Sequence, residues 1–205
     1  MIGIIDYGVG NLFSLKSSFS EVGAEAFVSG NPEQLATADR LILPGVGAFG
    51  DAANKLRQSG LDRFVLDQAA AGKPLMGICL GMQLLFEDSY EYGHYQGLGL
   101  LKGSVVPMEG ILPEGLKIPH IGWNSLHKVN PHSKLLANVE EGEFVYFVHS
   151  FYASGCDESL AATTEYGLNI TAAVEKGNIF GCQFHPEKSG KVGLKILRSF
   201  ASERR

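Results

Sequence analysis

Short apolar runs alternate with amphipathic stretches through the first half of this 205-residue chain, and that alternation limits the folds open to it. Gly3–Asp6, Ala24–Val28, Arg40–Leu43 and Pro74–Ile78 read as short strands. Between them, Asn11–Val22 sets Leu12, Leu15, Phe19 and Val22 at helical spacing, and Leu61–Ala70 repeats its apolar residues by three and four. Leu80–Phe86 resumes helical character after the fourth strand. A chain that passes from strand through helix to strand builds a parallel sheet, and helices must then cover both of its faces.

The second half changes pattern. Val105, Ile118, Ile121, Phe144–Val148, Leu160–Thr163, Ile170–Val174 and Ile179–Phe184 mark short strands between Gly, Pro and Asn turns, and Val192–Phe200 closes as a helix. The expectation is one α/β domain over residues 1–205: an open, mostly parallel central sheet with flanking helices and an antiparallel extension of the same sheet.

Composition narrows the function. Apolar residues at 45% supply a core, and a formal net charge of −5 without a Lys/Arg cluster argues against nucleic acid as a partner. No stretch approaches a membrane span, and the opening run has neither a basic region before it nor a cleavage site after it. Cys79, Cys156 and Cys182 cannot all pair and lack CxxC metal spacing, so reduced thiols in a cytoplasmic protein without metal or cofactor are expected.

The sharpest local feature is Gly77-Ile78-Cys79-Leu80-Gly81, between a strand and a helix. It has the layout of a nucleophile elbow with cysteine in place of serine, and a side chain at either glycine would collide in so sharp a turn. The turn lifts the Cys79 thiol above the sheet edge and sets it at a helix start, which favours thiolate. The plainer reading of a lone cysteine is a buried structural one.

A thiol nucleophile needs a base, and the base needs an orienting group. Gln183-Phe184-His185-Pro186-Glu187 supplies both at the end of a strand, where residues two apart share one face. Glu187 can then hold one imidazole nitrogen and leave the other facing Cys79. The competing reading is a surface turn with a chance His and Glu. His94, His120, His127, His132 and His149 show no partner at an obvious spacing, and most of them read as structural or exposed.

Pro44-Gly45-Val46-Gly47-Ala48-Phe49-Gly50 contains a literal GxGxxG. It does not open the first strand–helix–strand unit, and no acidic strand end follows about 20 residues on, as a dinucleotide site requires. A glycine-rich loop donating a backbone N–H to an oxyanion, beside the N–H of Leu80, suits an elbow enzyme better. One such donor is worth about 2.7–4 kcal/mol of transition-state stabilisation.

Taken in order, Pro44-Gly45-Val46-Gly47, Gly77-Ile78-Cys79-Leu80-Gly81-Met82-Gln83 and Phe184-His185-Pro186-Glu187 resemble the class I (triad) glutamine amidotransferases over nearly the whole chain. Asp6-Tyr7-Gly8-Val9-Gly10-Asn11, His120-Ile121-Gly122-Trp123-Asn124 and Tyr146-Phe147-Val148-His149-Ser150 are most similar to the branch serving histidine biosynthesis. That resemblance implies Cys79 as nucleophile on the glutamine amide, His185 as proton donor to the departing ammonia, and Glu187 as its support. It implies an oxyanion hole from the N–H groups of Val46 and Leu80. Gly47, Gln83 and the His149-Ser150-Phe151 backbone would hold glutamine; Phe151 stands where many relatives carry tyrosine.

It further implies a (β/α)8-barrel cyclase partner in a heterodimer, met by Asn11, Trp123, Tyr146 and Lys188. The partner would use the ammonia to make imidazole glycerol phosphate and AICAR. Length agrees, because a site spanning Val46 to Glu187 leaves no stretch for an acceptor domain. Three other readings stand beside this one: a free-standing γ-glutamyl thiol hydrolase, a nucleotide-binding module using Gly45–Gly50, and a glutaminase subunit for another ammonia-using synthase.

Overall fold

The structure is a computed structural model that describes residues 1–202. The chain begins with β1 (Ile2–Ile5), α1 (Leu12–Glu21), β2 (Ala26–Ser29), α2 (Pro32–Ala36), β3 (Arg40–Leu43), α3 (Phe49–Gln58), α4 (Leu61–Ala70), β4 (Leu75–Ile78) and α5 (Leu80–Gln83). There follow β5 (Asp88–Ser89), β6 (Tyr95–Gln96), β7 (Ser104–Pro107), β8 (His120–Ser125), β9 (His127–Lys128), β10 (Phe144–His149) and β11 (Phe151–Ser154). Last come β12 (Leu160–Glu165), β13 (Asn169–Lys176), β14 (Ile179–Cys182) and α6 (Gly190–Ser202). Local signals account for the short α2: Asn31 caps it by accepting the N–H groups of Glu33 and Gln34, and Pro32 occupies its first position.

The central sheet runs β2-β1-β3-β4-β14-β13-β12-β9. Pairings from β2 through β14 are parallel, and those among β14, β13, β12 and β9 are antiparallel. The predicted architecture therefore stands. Side chains alternate across the parallel strands. Ile5, Leu41, Leu43 and Leu75 face a core with Phe49, Leu56, Leu61 and Val65 of α3 and α4. Ile4, Ile42, Met76 and Ile78 face a second core with Leu15 and Phe19 of α1 and with Ile196, Leu197 and Phe200 of α6. A side chain of this size stabilises by roughly 1.5–3 kcal/mol when fully buried.

Four expectations need correction. The second-half strands are not all one extension, since β8 and β10 form a two-stranded sheet and β11-β7-β5-β6 a four-stranded one. Ile118 lies outside β8, in the bend before it. The helix after the elbow stops at Gln83, short of Phe86. The carbonyls of Leu84, Leu85 and Phe86, which a longer helix would use, instead accept N–H groups from Leu98, Leu100 and Gly99. Finally β14 ends at Cys182, so His185 and Glu187 are not on a strand.

Candidate active site

The parallel strands β4 and β14 end side by side, and each delivers one half of the site. Beyond β4, Cys79 turns the chain with φ 54° and ψ −114°, a left-handed conformation that an L-residue holds only under strain. The turn is locked by glycines. A Cβ built on Gly81 would lie 1.8 Å from the Leu43 carbonyl oxygen, one on Gly77 2.5 Å from the Gly81 oxygen, and one on Gly45 2.7 Å from the Gly81 nitrogen. Elbow and Pro44–Gly47 loop therefore interlock, and this brings Val46 and Gly47 to the same cavity as Cys79 and Leu80. As first residue of α5, Leu80 has no intrahelical acceptor for its N–H. With only four residues in α5, little helix dipole acts on the thiol.

Beyond β14, Pro186–Lys188 forms a 3-10 turn with His185 at its cap. That turn, and not strand geometry, brings Glu187 Oε1 to His185 Nδ1 at 2.8 Å. Pro186 supplies the fixed φ that starts the turn, and Ser189 anchors it by donating to the His185 carbonyl at 2.6 Å. Both side chains of the pair are buried, and the other Glu187 oxygen has no hydrogen-bond partner among the described residues.

Burial alone would depress the His185 imidazole, but the neighbouring Cys79 sulfur and the hydrogen-bonded Glu187 carboxylate outweigh that and raise it to about 9. It is then imidazolium at neutral pH and can donate a proton to a leaving group. The three side chains chosen from separated motifs thus converge.

The cavity measures about 330 Å3 and is also lined by Gln83, His149, Ser150 and Phe151. Among the described residues there is no cluster of three or more His, Cys, Asp or Glu placed to hold a metal ion. Gln83 Nε2 donates to the Phe151 carbonyl at 3.1 Å and to Gln183 Oε1 at 3.0 Å, and Gln183 Nε2 lies 3.8 Å from Cys79 Sγ.

Several lining or supporting residues belong to no motif. Glu91 is buried at the cavity wall, with Oε2 accepting the Phe49 N–H at 2.8 Å, and burial raises its carboxyl. Tyr92, at φ 52°, sets its ring edge-on to Phe151 across the mouth. No motif marks either residue; the acidic run in which Glu91 sits resembles any solvated loop. The histidines read as partnerless are mostly partnered: His120 with His149, His94 with Asp88 and His127 with Glu141. The contacts of His120 and His127 span 29 and 14 positions, and that of His94 spans six across a loop, so no helix or strand period reveals them.

The four residues assigned to a partner lie outside the cavity. Trp123 and Tyr146 are cross-strand neighbours on β8 and β10 with rings 6.1 Å apart, and Ile121, Trp123 and Phe144 are each more than half exposed. Lys188 is exposed on the turn that carries Glu187, and Asn11 caps α1 by accepting the Ser14 N–H. The Tyr146 carbonyl accepts the His185 N–H at 3.0 Å, so the strand bearing this surface is bonded directly to the candidate base.

Comparisons with known proteins agree with this architecture. The family model for class-I glutamine amidotransferases matches residues 3–203. Imidazole glycerol phosphate synthase subunit HisH of Bacillus licheniformis is 54% identical over 203 residues, covering 98% of this chain and 95% of that protein. The subunit of the same name from Bacillus subtilis is 51% identical over 203 residues, with coverage of 98% and 95%. Among solved structures, a glutamine amidotransferase superposes with a TM-score of 0.76 at 20% identity over 98% of this chain and 99% of its own. PurLQS from Thermotoga maritima gives a TM-score of 0.76 at 24% identity over 97% and 96%. These two show the fold.

Proposed function

The chain belongs to the class-I glutamine amidotransferases, and from that premise we propose that it is the glutaminase subunit of imidazole glycerol phosphate synthase, hydrolysing glutamine and passing the ammonia to a cyclase subunit. The observation that carries the reading is that Cys79 and His185 line one cavity while Glu187 holds the imidazole from behind through a 2.8 Å hydrogen bond.

In this reading the Cys79 sulfur attacks the side-chain amide carbon of glutamine, and the carbonyl π electrons move to oxygen. The N–H groups of Val46 and Leu80 receive that oxyanion. Collapse breaks the carbon–nitrogen bond, His185 gives its proton to the nitrogen, and ammonia leaves behind a γ-glutamyl thioester. Neutral His185 then takes a proton from water, whose oxygen attacks the thioester to release glutamate and restore the sulfur. Gly47, Gln83 and the His149-Ser150-Phe151 backbone position glutamine, and Glu91, an acid at the cavity wall, receives its α-ammonium group.

Ammonia set free in neutral water becomes ammonium and stops being a nucleophile. Handing it to a partner is therefore the useful outcome. We assign that partner to the surface of Asn11, Trp123, Tyr146 and Lys188: a (β/α)8-barrel cyclase, bound as a cytoplasmic heterodimer and completing a lyase reaction that yields imidazole glycerol phosphate and AICAR. The apolar exposure of Ile121, Trp123 and Phe144 supports a protein-covered surface there. The test is glutamine hydrolysis by the chain alone, with the cyclase, and with the cyclase plus its ligand. Turnover that rises with partner and ligand is expected; none under any condition would overturn the reading.

A further inference from the structure

Strand β10 ends at His149 in one sheet and β11 starts at Phe151 in another, so the backbone that faces the cavity crosses between sheets at Ser150. Neither ladder alone sets its direction there. The Ser150 carbonyl is taken by the Met108 N–H at 3.0 Å. The Phe151 carbonyl is held from two sides, by Gln83 Nε2 at 3.1 Å and by His149 Nδ1 at 2.9 Å.

Behind each donor stands a second buried group that does not line the cavity. On one side His120 Nδ1 lies 3.1 Å from His149 Nε2, and Asn124 Nδ2 lies 3.4 Å from His120 Nε2. The direction of every proton follows from chemistry. A carbonyl only accepts, so His149 Nδ1 carries the hydrogen and its Nε2, in neutral imidazole, must accept. His120 Nδ1 is then the donor and its Nε2 accepts from Asn124. Rings on both faces, Phe147 at 4.9 Å and Tyr166 at 4.0 Å between centroids, hold the His120 plane. Burial pushes both imidazoles down to about 4, which agrees with two neutral rings.

On the other side, Gln183 is wholly buried and its Oε1 accepts from Gln83, so its amide nitrogen faces the Cys79 sulfur. The Phe151 carbonyl is thus the junction of one polarised chain, Asn124–His120–His149 from β8 and Gln83–Gln183 from the nucleophile.

We propose that this double clamp fixes the peptide planes that receive glutamine relative to Cys79, and that His120 and Gln183 are positioning residues of amide cleavage. The proposal rests on the glutaminase reading above. Removing either end leaves a buried donor or acceptor unmatched and frees the carbonyl to turn.

The experiment is a double-mutant cycle on the assembled synthase. His120→Phe keeps the ring stack but removes the donor, His120→Asn restores a nitrogen near the lost Nδ1, and Gln183→Leu breaks the opposite side. Each of His120→Phe and Gln183→Leu should raise the KM for glutamine about tenfold, the size of one lost hydrogen bond with an unmatched buried partner, and His120→Asn should recover most of it. Because both variants free one carbonyl, their effects on KM should fall short of multiplying. Turnover with free ammonia should stay at the wild-type level in all of them. A wild-type KM in either single variant, no rescue by His120→Asn, or multiplying effects in the double variant would each overturn the clamp. Should His120→Phe fail to fold, Gln183→Leu and His120→Asn still decide it. Wild-type synthase that turns over no glutamine would instead overturn the functional reading.

Discussion

The backbone N–H of Cys79 donates to the carbonyl of Cys182 at 2.8 Å. That bond fastens the elbow after β4 to the last residue of β14, three positions before His185. Nucleophile and base thus hang from neighbouring parallel strands, and sheet pairing sets their separation. The consequences can be measured.

Replacing Cys79 by Ala should abolish glutamine-dependent synthesis while free ammonia still supports the partner's reaction. A glutamine-analogue electrophile such as diazo-oxo-norleucine should label Cys79 and leave Cys156 and Cys182 untouched, as mass spectrometry of the modified peptides would show. Loss of both activities, or label on another cysteine, contradicts the division of labour between chains.

Gly81→Ala should cost on the order of 3 kcal/mol or prevent folding, because its Cβ would sit 1.8 Å from the Leu43 oxygen and neither backbone can move without breaking the elbow. Urea unfolding monitored by circular dichroism gives the loss.

The pH dependence of stability should carry two opposite signatures. His185 is raised from 6.5 to about 9, so the folded state prefers the proton, and its contribution is full below 6.5 and fades as pH rises through 9. His120 and His149 are lowered to about 4, so the unfolded state binds protons more readily, and stability should fall as pH drops from 6.5 towards 4. Comparing unfolding midpoints of wild type and His120→Phe across pH 4–7 should flatten the acid limb in the variant, and comparing wild type with His185→Gln between pH 6.5 and 9 should show their gap closing.

Glu91→Gln should raise the KM for glutamine about tenfold with little change in kcat, since a charge contact to the α-ammonium group would act in ground and transition states alike. Steady-state kinetics separate the two parameters, and an unchanged KM would remove Glu91 from substrate binding.

Trp123→Ala or Lys188→Ala should weaken the stimulation of glutamine hydrolysis by the partner's ligand. Trp123 pairs across the ladder with Tyr146, whose carbonyl accepts the His185 N–H, and the Lys188 N–H donates to the His185 carbonyl. Unchanged stimulation would place the interface elsewhere.

Local chemistry made much of the molecule legible in advance. Arg40–Leu43 and Leu61–Ala70 occupy the predicted bounds, because their apolar spacing and the Pro and Gly at their ends are local properties. Gly77, Cys79 and Gly81 marked a sharp turn; the crowding of Gly77 against the Gly81 and Met82 backbone is local in the same way, whereas that of Gly81 comes from the remote Leu43 carbonyl. Glu187 was linked to His185 correctly but by the wrong geometry: Pro186 begins a 3-10 turn, and two residues of separation serve a turn as well as a strand.

Residue type and order alone thus determined the α/β alternation, the elbow and the pairing of a histidine with a nearby carboxylate. Tertiary structure decided which distant segments meet: that Gly45 nests against Gly81, that Glu91 reaches the cavity wall, and that His120 finds His149 across 29 residues. A turn or a helix face is set by forces acting within a few residues, whereas a buried hydrogen bond between remote side chains has no period and forms only once packing has excluded water and left those groups no other partner.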